Sequence, residues 1–181
     1  VTTKAGKSGK TKFKLSSQYG TTTPNFNGYK PLSTSQYIDY YGQTLLNSGA
    51  SQEEVDELYP AEIRNINTNW VDEAFRTGVT QSHDLSASGG NDKTTFFVSG
   101  SYFSQEGILI GSTFDRYSGR VSINQKANDK LSFGTQLNVS YADRRSASPG
   151  NQFNSPLLGG YLNAPFDSPR DPITGELLDG S

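Results

Sequence analysis

Residues Val79–Asp143 read VTQSHDLSASGGNDKTTFFVSGSYFSQEGILIGSTFDRYSGRVSINQKANDKLSFGTQLNVSYAD, and this stretch decides the fold. Polar and apolar residues alternate along it in four runs. Because successive strand side chains point to opposite faces, a period of two predicts strands with one apolar and one polar face. In the last run the apolar members are Leu131, Phe133, Leu137, Val139 and Tyr141, and the polar ones are Ser132, Gln136, Asn138 and Ser140.

The connections between these four runs alternate in length. Gly89–Lys93 and Asn128–Lys130 are short and rich in residues that favour tight turns. A longer loop is predicted over Gln105–Phe114, at the opposite end of the strands. Short turns at one end and longer loops at the other are typical of outer-membrane barrels, although a soluble meander can share the pattern.

A fifth strand precedes the four. Phe13, Leu15 and Tyr19 alternate with polar residues over Lys12–Tyr19, and the cluster Gly20–Pro24 is predicted to end the strand. The lysine-rich segment before it, Lys4–Lys10, is predicted to be a flexible linker.

Residues 25–78 change from strand to helix periodicity. Ser33 or Thr34 is expected to begin a helix that Gly49 ends, and Ser51 with Glu54 forms a capping-box pattern for a second helix that stops before Pro60. A further helical turn is predicted within Asn69–Thr77. So long a connection between neighbouring strands predicts an excursion that packs on itself.

The strand pattern ends after Asp143. The remaining segment is rich in Pro, Gly and Asn, with a turn predicted over Asp171–Gly175 and one helical turn at Leu157, Leu158, Tyr161 and Leu162.

Composition excludes several classes of function. Only 32% of the 181 residues are hydrophobic, the net charge is −2, and no apolar run is long enough for a transmembrane helix. The near balance of charge argues against nucleic acid as a partner. Because the chain begins at Val1 and contains no Met, we expect it to be a processed product or a piece of a longer protein.

Chemical sites are also poorly represented. There is no Cys, and His83 is the sole histidine and has no recognisable Ser–Asp partners. Four acidic residues crowd the last segment without the spacing of a calcium loop. We therefore predict no catalytic residue, no metal and no cofactor. The four acidic residues are Asp167, Asp171, Glu176 and Asp179.

Several spaced segments resemble the SusC/RagA family of TonB-linked outer-membrane transporters. They are Thr68–Gly78, Asp84–Asn91, Phe96–Tyr102, Gln105–Gly107 and Arg116–Arg120, in that order. Upstream, Val1–Gly6 resembles the end of the family's plug-domain signature. The likeness covers most of the chain up to Asp143.

The resemblance implies an all-β fold, in which about five strands form part of the wall of a 22-stranded antiparallel transmembrane barrel with a helical extracellular excursion. Residues 1–10 would end the plug domain and 11–181 would begin the barrel, with extracellular segments over 21–78 and 144–181. The implied protein imports glycan oligomers or peptides across the cell outer membrane, together with a SusD-like surface lipoprotein. TonB would act through a region outside this chain.

Two groups of residues are candidate contacts. Arg116 and Arg120 share one strand face, and with Asp84 they are predicted to face the barrel lumen and touch the plug or passing substrate. Trp70 and Tyr161 are the candidate aromatics for contact with a sugar. Ordinary solvated charge and ordinary packing are the competing interpretations for these two groups. Tyr19, Tyr102, Tyr117 and Tyr141 are candidates for aromatic belts at the membrane interfaces.

A second function class stays open at this point. A secreted β-sandwich that binds carbohydrate through exposed aromatics would show the same alternation, with each apolar face covered by a second sheet. An enzyme finds no support in the motifs.

Overall fold

The computed structural model describes residues 6–147, 156–171 and 176. The chain forms two compact units: Val1–Thr23 with Thr77–Ser146, and Pro24–Arg76 with Ala147–Ser181. Most of the segment resembling the plug signature, positions 172–175 of the predicted turn, and Asp179 lie outside the described residues.

The first unit is one antiparallel sheet of five strands in sequence order. All five predicted strands are present, and each pairs with the next along the chain because consecutive connections reverse direction. In the described residues the sheet is open, with β1 and β5 at its edges. The strands are β1 (Gly9–Thr22), β2 (Gly78–Gly90), β3 (Thr94–Glu106), β4 (Thr113–Lys126) and β5 (Ser132–Arg145).

Several predicted strand ends were wrong. The first strand begins at Gly9, inside the predicted linker, and the last continues past Asp143 to Arg145. Two further differences involve residues without a strand pattern. Gly20–Thr22 was expected to break β1, but these residues pair with Thr80, Val79 and Gly78. The loop predicted over Gln105–Phe114 spans only 107–112, because Gln105 pairs with Phe114 and Glu106 with Thr113. In both places a paired neighbour keeps polar residues in the ladder, where their own preference is weak.

Asparagine side chains close both short turns, which carry the same sequence Asn-Asp-Lys. Asn91 Oδ1 accepts from the backbone N–H groups of Lys93 and Thr94 at 2.9 and 2.8 Å. Asn128 Oδ1 accepts from those of Lys130 and Leu131, both at 2.9 Å. Leu131, predicted to begin the last strand, therefore belongs to this turn.

The apolar face of the sheet is exposed. Ile123, Leu137 and Val139 are 44%, 57% and 61% exposed. The described residues contain one sheet, so no second sheet covers these side chains. A β-sandwich requires such a cover, and the described residues do not supply one.

The second unit is built from short helices around a small core. The 14-residue α1 begins after Ser33, whose side chain accepts from the N–H of Gln36. Thr34 is buried, and its hydroxyl donates to the carbonyl of Ile66 at 2.5 Å. Within the described ranges, no helix has the length and apolarity needed to cross a membrane. The helices are α1 (Thr34–Asn47), α2 (Gln52–Leu58), a 3₁₀ turn (Ala61–Asn65), α3 (Trp70–Ala74) and α4 (Pro156–Leu162).

Replacing Ser51 by alanine should destabilise α2 by about 0.5–2 kcal/mol, because the predicted capping box is present. Ser51 Oγ accepts from the N–H of Glu54, and the Glu54 carboxylate accepts from the N–H of Ser51 at 2.8 Å. Hydrogen-exchange protection over 54–58 measures the change.

The same capping box predicts a pH dependence. The Ser51 backbone N–H, and then its hydroxyl, lower the pKa of Glu54 from 4.5. A carboxyl whose pKa falls on folding stabilises above its unfolded pKa, and this contribution is lost as the pH falls through the folded value. Protection of α2 should therefore weaken in acid in the native protein and vary less in Glu54→Gln, which removes the titrating carboxyl. Equal acid sensitivity in both would contradict the assignment.

Candidate functional site

A row of aromatic rings crosses the apolar face. Tyr102 pairs with Tyr117, and Tyr117 pairs with Tyr141, so the three lie side by side on adjacent strands. The ring centroids of Tyr102 and Tyr117 are 4.9 Å apart. His83 extends the row onto β2, stacked at 6.3 Å from Tyr102. Tyr19 lies outside the row, opposite Gln81.

The row separates the apolar band from a charged rim. Tyr102 Oη donates to Asp115 Oδ1 at 3.1 Å, and Asp115 lies toward the β3–β4 loop. Tyrosine rings with apolar bodies and polar tips suit such a boundary. In the paired register the other acidic and basic residues of this face lie beyond the row at the same end; they are Glu106, Asp143 and Arg145.

The opposite, polar face carries two arginines over aromatic rings. Arg116 pairs with Phe103 across β3 and β4, and its guanidinium carbon lies 5.6 Å from the centre of that ring. The guanidinium carbon of Arg120 lies 5.8 Å from the centre of the Phe97 ring. These distances are in the range of cation–π attraction. The two aromatics that interrupt the alternation of β3 therefore support the two predicted site arginines.

Asp84 shares the polar face but stands apart from the arginines. It lies on β2, opposite Ser16 and Ser101, whereas Arg116 and Arg120 lie on β4. Two strand spacings amount to roughly 10 Å at ~4.8 Å each. Ser82 Oγ donates to Asp84 Oδ2 at 3.2 Å. The structure thus brings the two arginines onto one strand face and leaves the carboxylate two strands away.

A shallow polar groove runs beside Arg120. Ser101 and Ser118 hydroxyls meet at 2.7 Å across β3 and β4, and small side chains keep this part of the face low. Hydroxyl and amide groups around a guanidinium can hydrogen-bond an oxygen-rich ligand. The groove is lined by Ser99, Ser101, Ser118, Arg120, Asn138 and Ser140.

Trp70 lies in the second unit as a structural tie. Its indole Nε1–H donates to the carbonyl of Ala164 at 2.8 Å, and its ring is partly buried. Nearby, the Thr68 N–H donates to the carbonyl of Pro165 at 2.7 Å, and Arg170 forms a 3.4 Å ion pair with Glu73. These contacts join the connection between β1 and β2 to the segment that follows β5.

Tyr161 is the more exposed of the two predicted aromatics. It is 42% exposed and meets Tyr29 edge to face at 4.9 Å. A second cluster forms on α1, where Tyr37 and Tyr41 lie 4.3 Å apart. Burial, and then Tyr41, Tyr59 and Asp167, raise the pKa of Tyr37.

Sequence reasoning named Arg116 and Arg120 but not the ring beneath each of them. Phe97 and Phe103 were visible as exceptions to the alternation. Pairing them with arginines on the next strand required the register, which the length of the β3–β4 connection sets. Among the described residues, no group of three or more His, Asp or Glu side chains is placed to hold a metal ion.

Comparison with known proteins relates the chain to receptors. It is 30% identical over 142 residues to a TonB-dependent receptor of Formosa agariphila, covering 77% of this chain and 12% of that protein. It is 29% identical over 178 residues to the TonB-dependent receptor SusC of Bacteroides thetaiotaomicron, covering 95% of this chain and 16% of SusC. The chain therefore spans only a small part of these relatives. No family model matches it.

Solved structures share the fold. The chain superposes on the RagAB peptide transporter with a TM-score of 0.79 at 23% identity, over 98% of this chain and 23% of that one. The "open-open" state of the RagAB peptide importer gives a TM-score of 0.75 at 22% identity, with 98% and 22% covered. The relatives by sequence and by structure are receptors and transporters, not enzymes.

Proposed function

The chain is related to the SusC/RagA-like TonB-dependent receptors over most of its length, and from this relationship we propose that its sheet is part of a barrel wall in a Gram-negative outer membrane. Residues 1–10 then end the plug domain and 11–181 belong to the barrel. The segments over 21–78 and 144–181 are extracellular.

The observation that carries this proposal is the exposed apolar face. Leu137 and Val139 stand exposed in a sheet whose other face is polar, and lipid is the solvent that makes such exposure stable. Phe133 and Tyr141 bracket the band on β5, roughly 27 Å apart along the strand at ~3.4 Å per residue. With a tilt near 40° the band is about 20 Å tall, close to the ~25 Å typical of outer-membrane barrels.

The aromatic row marks one membrane interface, and the lengths of the connections support one orientation. Tyr102, Tyr117 and Tyr141 form the interfacial belt, with the charged rim beyond it in the headgroup region. The two Asn-Asp-Lys turns are then periplasmic, and the long connections are outside, as in other outer-membrane barrels. The polar face, with Arg116, Arg120 and Asp84, lines the lumen.

Import is the proposed activity of the whole receptor. Oligomeric cargo, either glycan or peptide, enters with the help of a SusD-like surface lipoprotein, and TonB supplies the energy. The structural likeness to RagAB, which is described as a peptide transporter, supports the peptide class, and the glycan class rests on the family resemblance. The protein gates a passage and forms no covalent intermediate.

Fractionation and energised uptake test this function. We expect the full-length receptor, expressed with the proposed SusD-like lipoprotein, to partition with the outer membrane and to require detergent for extraction. Uptake of labelled oligosaccharide or peptide should stop when TonB is deleted and return when it is restored. Recovery of the receptor in the aqueous phase without detergent, or uptake that ignores TonB, would overturn the proposal.

A further inference from the structure

The polar face of the sheet is strongly basic although the whole chain has a net charge of −2. In the paired register the acidic member of this face is Asp84. The basic members are Lys12, Lys14, Arg116, Arg120, Lys126 and Arg144. Such segregation produces a one-signed potential over a surface.

These basic residues extend along the full height of the strands. Lys126 is at the turn end of β4, Arg120 is near its middle, and Arg116 approaches the loop end, where Arg144 pairs with Phe114 on β5. Lys12 and Lys14 lie near the turn end of β1. The charges therefore form a path from one end of the sheet to the other, instead of one local cluster.

The surrounding residues present these charges in defined positions. Phe103 and Phe97 support the guanidinium groups of Arg116 and Arg120. An aromatic ring beneath a guanidinium limits its motion and leaves its edge directed to other partners. The serine-lined groove beside Arg120 adds hydroxyl groups at the same level.

We propose that this basic face is a conduction path for an oligomer that carries carboxylate groups. Arginine forks match carboxylates in geometry, and lysines add attraction at longer range. An acidic peptide and a uronic-acid oligosaccharide present the same group, so the shared recognition chemistry is the carboxylate. This inference rests on the proposed transporter function and narrows its cargo.

Binding of charged probes to the purified full-length receptor tests the path. The acidic probes are a glutamate tetramer and a galacturonic acid trimer, and their neutral matches are a glutamine tetramer and a galactose trimer. Calorimetry should show at least one acidic probe binding about tenfold or more tightly than its match, with the difference shrinking as salt is added. The tighter acidic probe identifies the source of the carboxylate.

Arg144 and Arg145 provide a matched pair of variants. Arg144 lies on the polar face and Arg145, the next residue, on the other. The affinity for the acidic probe should fall by about two- to fivefold in each of Arg144→Gln, Arg116→Gln and Lys14→Gln. Arg145→Gln should leave this affinity unchanged.

Two binding results, and one uptake result, would overturn the path. One is equal affinity for acidic and neutral probes. The other is a set of variants that expose the plug domain to protease while probe affinity stays constant, because the basic face would then hold the plug. Loss of TonB-dependent uptake for every cargo would instead contradict the transporter function itself. Uptake restricted to neutral cargo would leave that function standing and remove this inference.

Discussion

Replacing Leu137 by lysine should lower the free energy of unfolding of the membrane-inserted receptor by about 2–4 kcal/mol. Leu137 lies opposite Val121, midway along the apolar band, and is 57% exposed. In water an exposed leucine tolerates lysine, with a change usually within about 0.5 kcal/mol. In hydrocarbon the ammonium group must be dehydrated or must distort the bilayer. The size of the effect therefore reports which solvent the face meets.

The adjacent residue supplies the control. Gln136 lies on the polar face opposite Ser122, so Gln136→Lys adds the same charge at nearly the same height. Urea unfolding of the full receptor in lipid vesicles should show a large loss for Leu137→Lys and a small one for Gln136→Lys. If the two substitutions cost the same, or if Gln136→Lys costs more, the apolar face does not meet lipid.

Replacing Trp70 by alanine should lower the free energy of unfolding of the second unit by about 2–4 kcal/mol. The change removes a partly buried aromatic ring and leaves the Ala164 carbonyl without its indole donor. Trp70→Phe keeps most of the ring and loses the hydrogen bond, and should cost about 1 kcal/mol. Amide-exchange protection over 70–74 and 158–162 in the full receptor measures both losses.

Tyr40 is the matched exposed aromatic. It is 64% exposed on α1, and Tyr40→Ala should change protection by less than about 0.5 kcal/mol. The Trp70 series also tests the sugar-contact prediction for this residue. A structural tie predicts that loss of protection and loss of cargo binding rise together from Phe to Ala. If Trp70→Ala abolished glycan binding while protection stayed at the native level, Trp70 would be a ligand contact instead.

Local alternation predicted the strands because each strand has one face in an apolar and one in a polar environment. Leu137, Val139 and Tyr141 follow this rule, and so the apolar face was identified correctly. The alternation rule failed at Gly20–Thr22 and at Gln105, where strand pairing continues through residues that show no alternation. Strand ends there depend on the neighbouring strand, and a single segment carries no information about its neighbour.

The contacts of the candidate site were harder to predict from the sequence, for a similar reason. The alternation placed Arg116 and Arg120 on one strand face. Predicting that Phe103 lies beneath Arg116 required the register between β3 and β4. The contact between Trp70 and Ala164 joins positions 94 residues apart, and no local pattern predicts it. Lumen contact by Arg116, Arg120 and Asp84, and sugar contact by Trp70 and Tyr161, stay predictions.

The paired Asn-Asp-Lys turns carry a consequence for the order of folding. β2 and β3, like β4 and β5, can pair as soon as the short turn between them closes, on the microsecond scale of isolated hairpins. β1 must find β2 across the connection 23–77, and closing so long a flexible loop costs roughly 2–3 kcal/mol more in chain entropy than closing a three-residue turn. A connection already condensed around Ile38, Val55 and Val71 shortens that search. Substituting alanine for those three residues should therefore slow the pairing of β1 with β2, while both hairpins form at their normal rate.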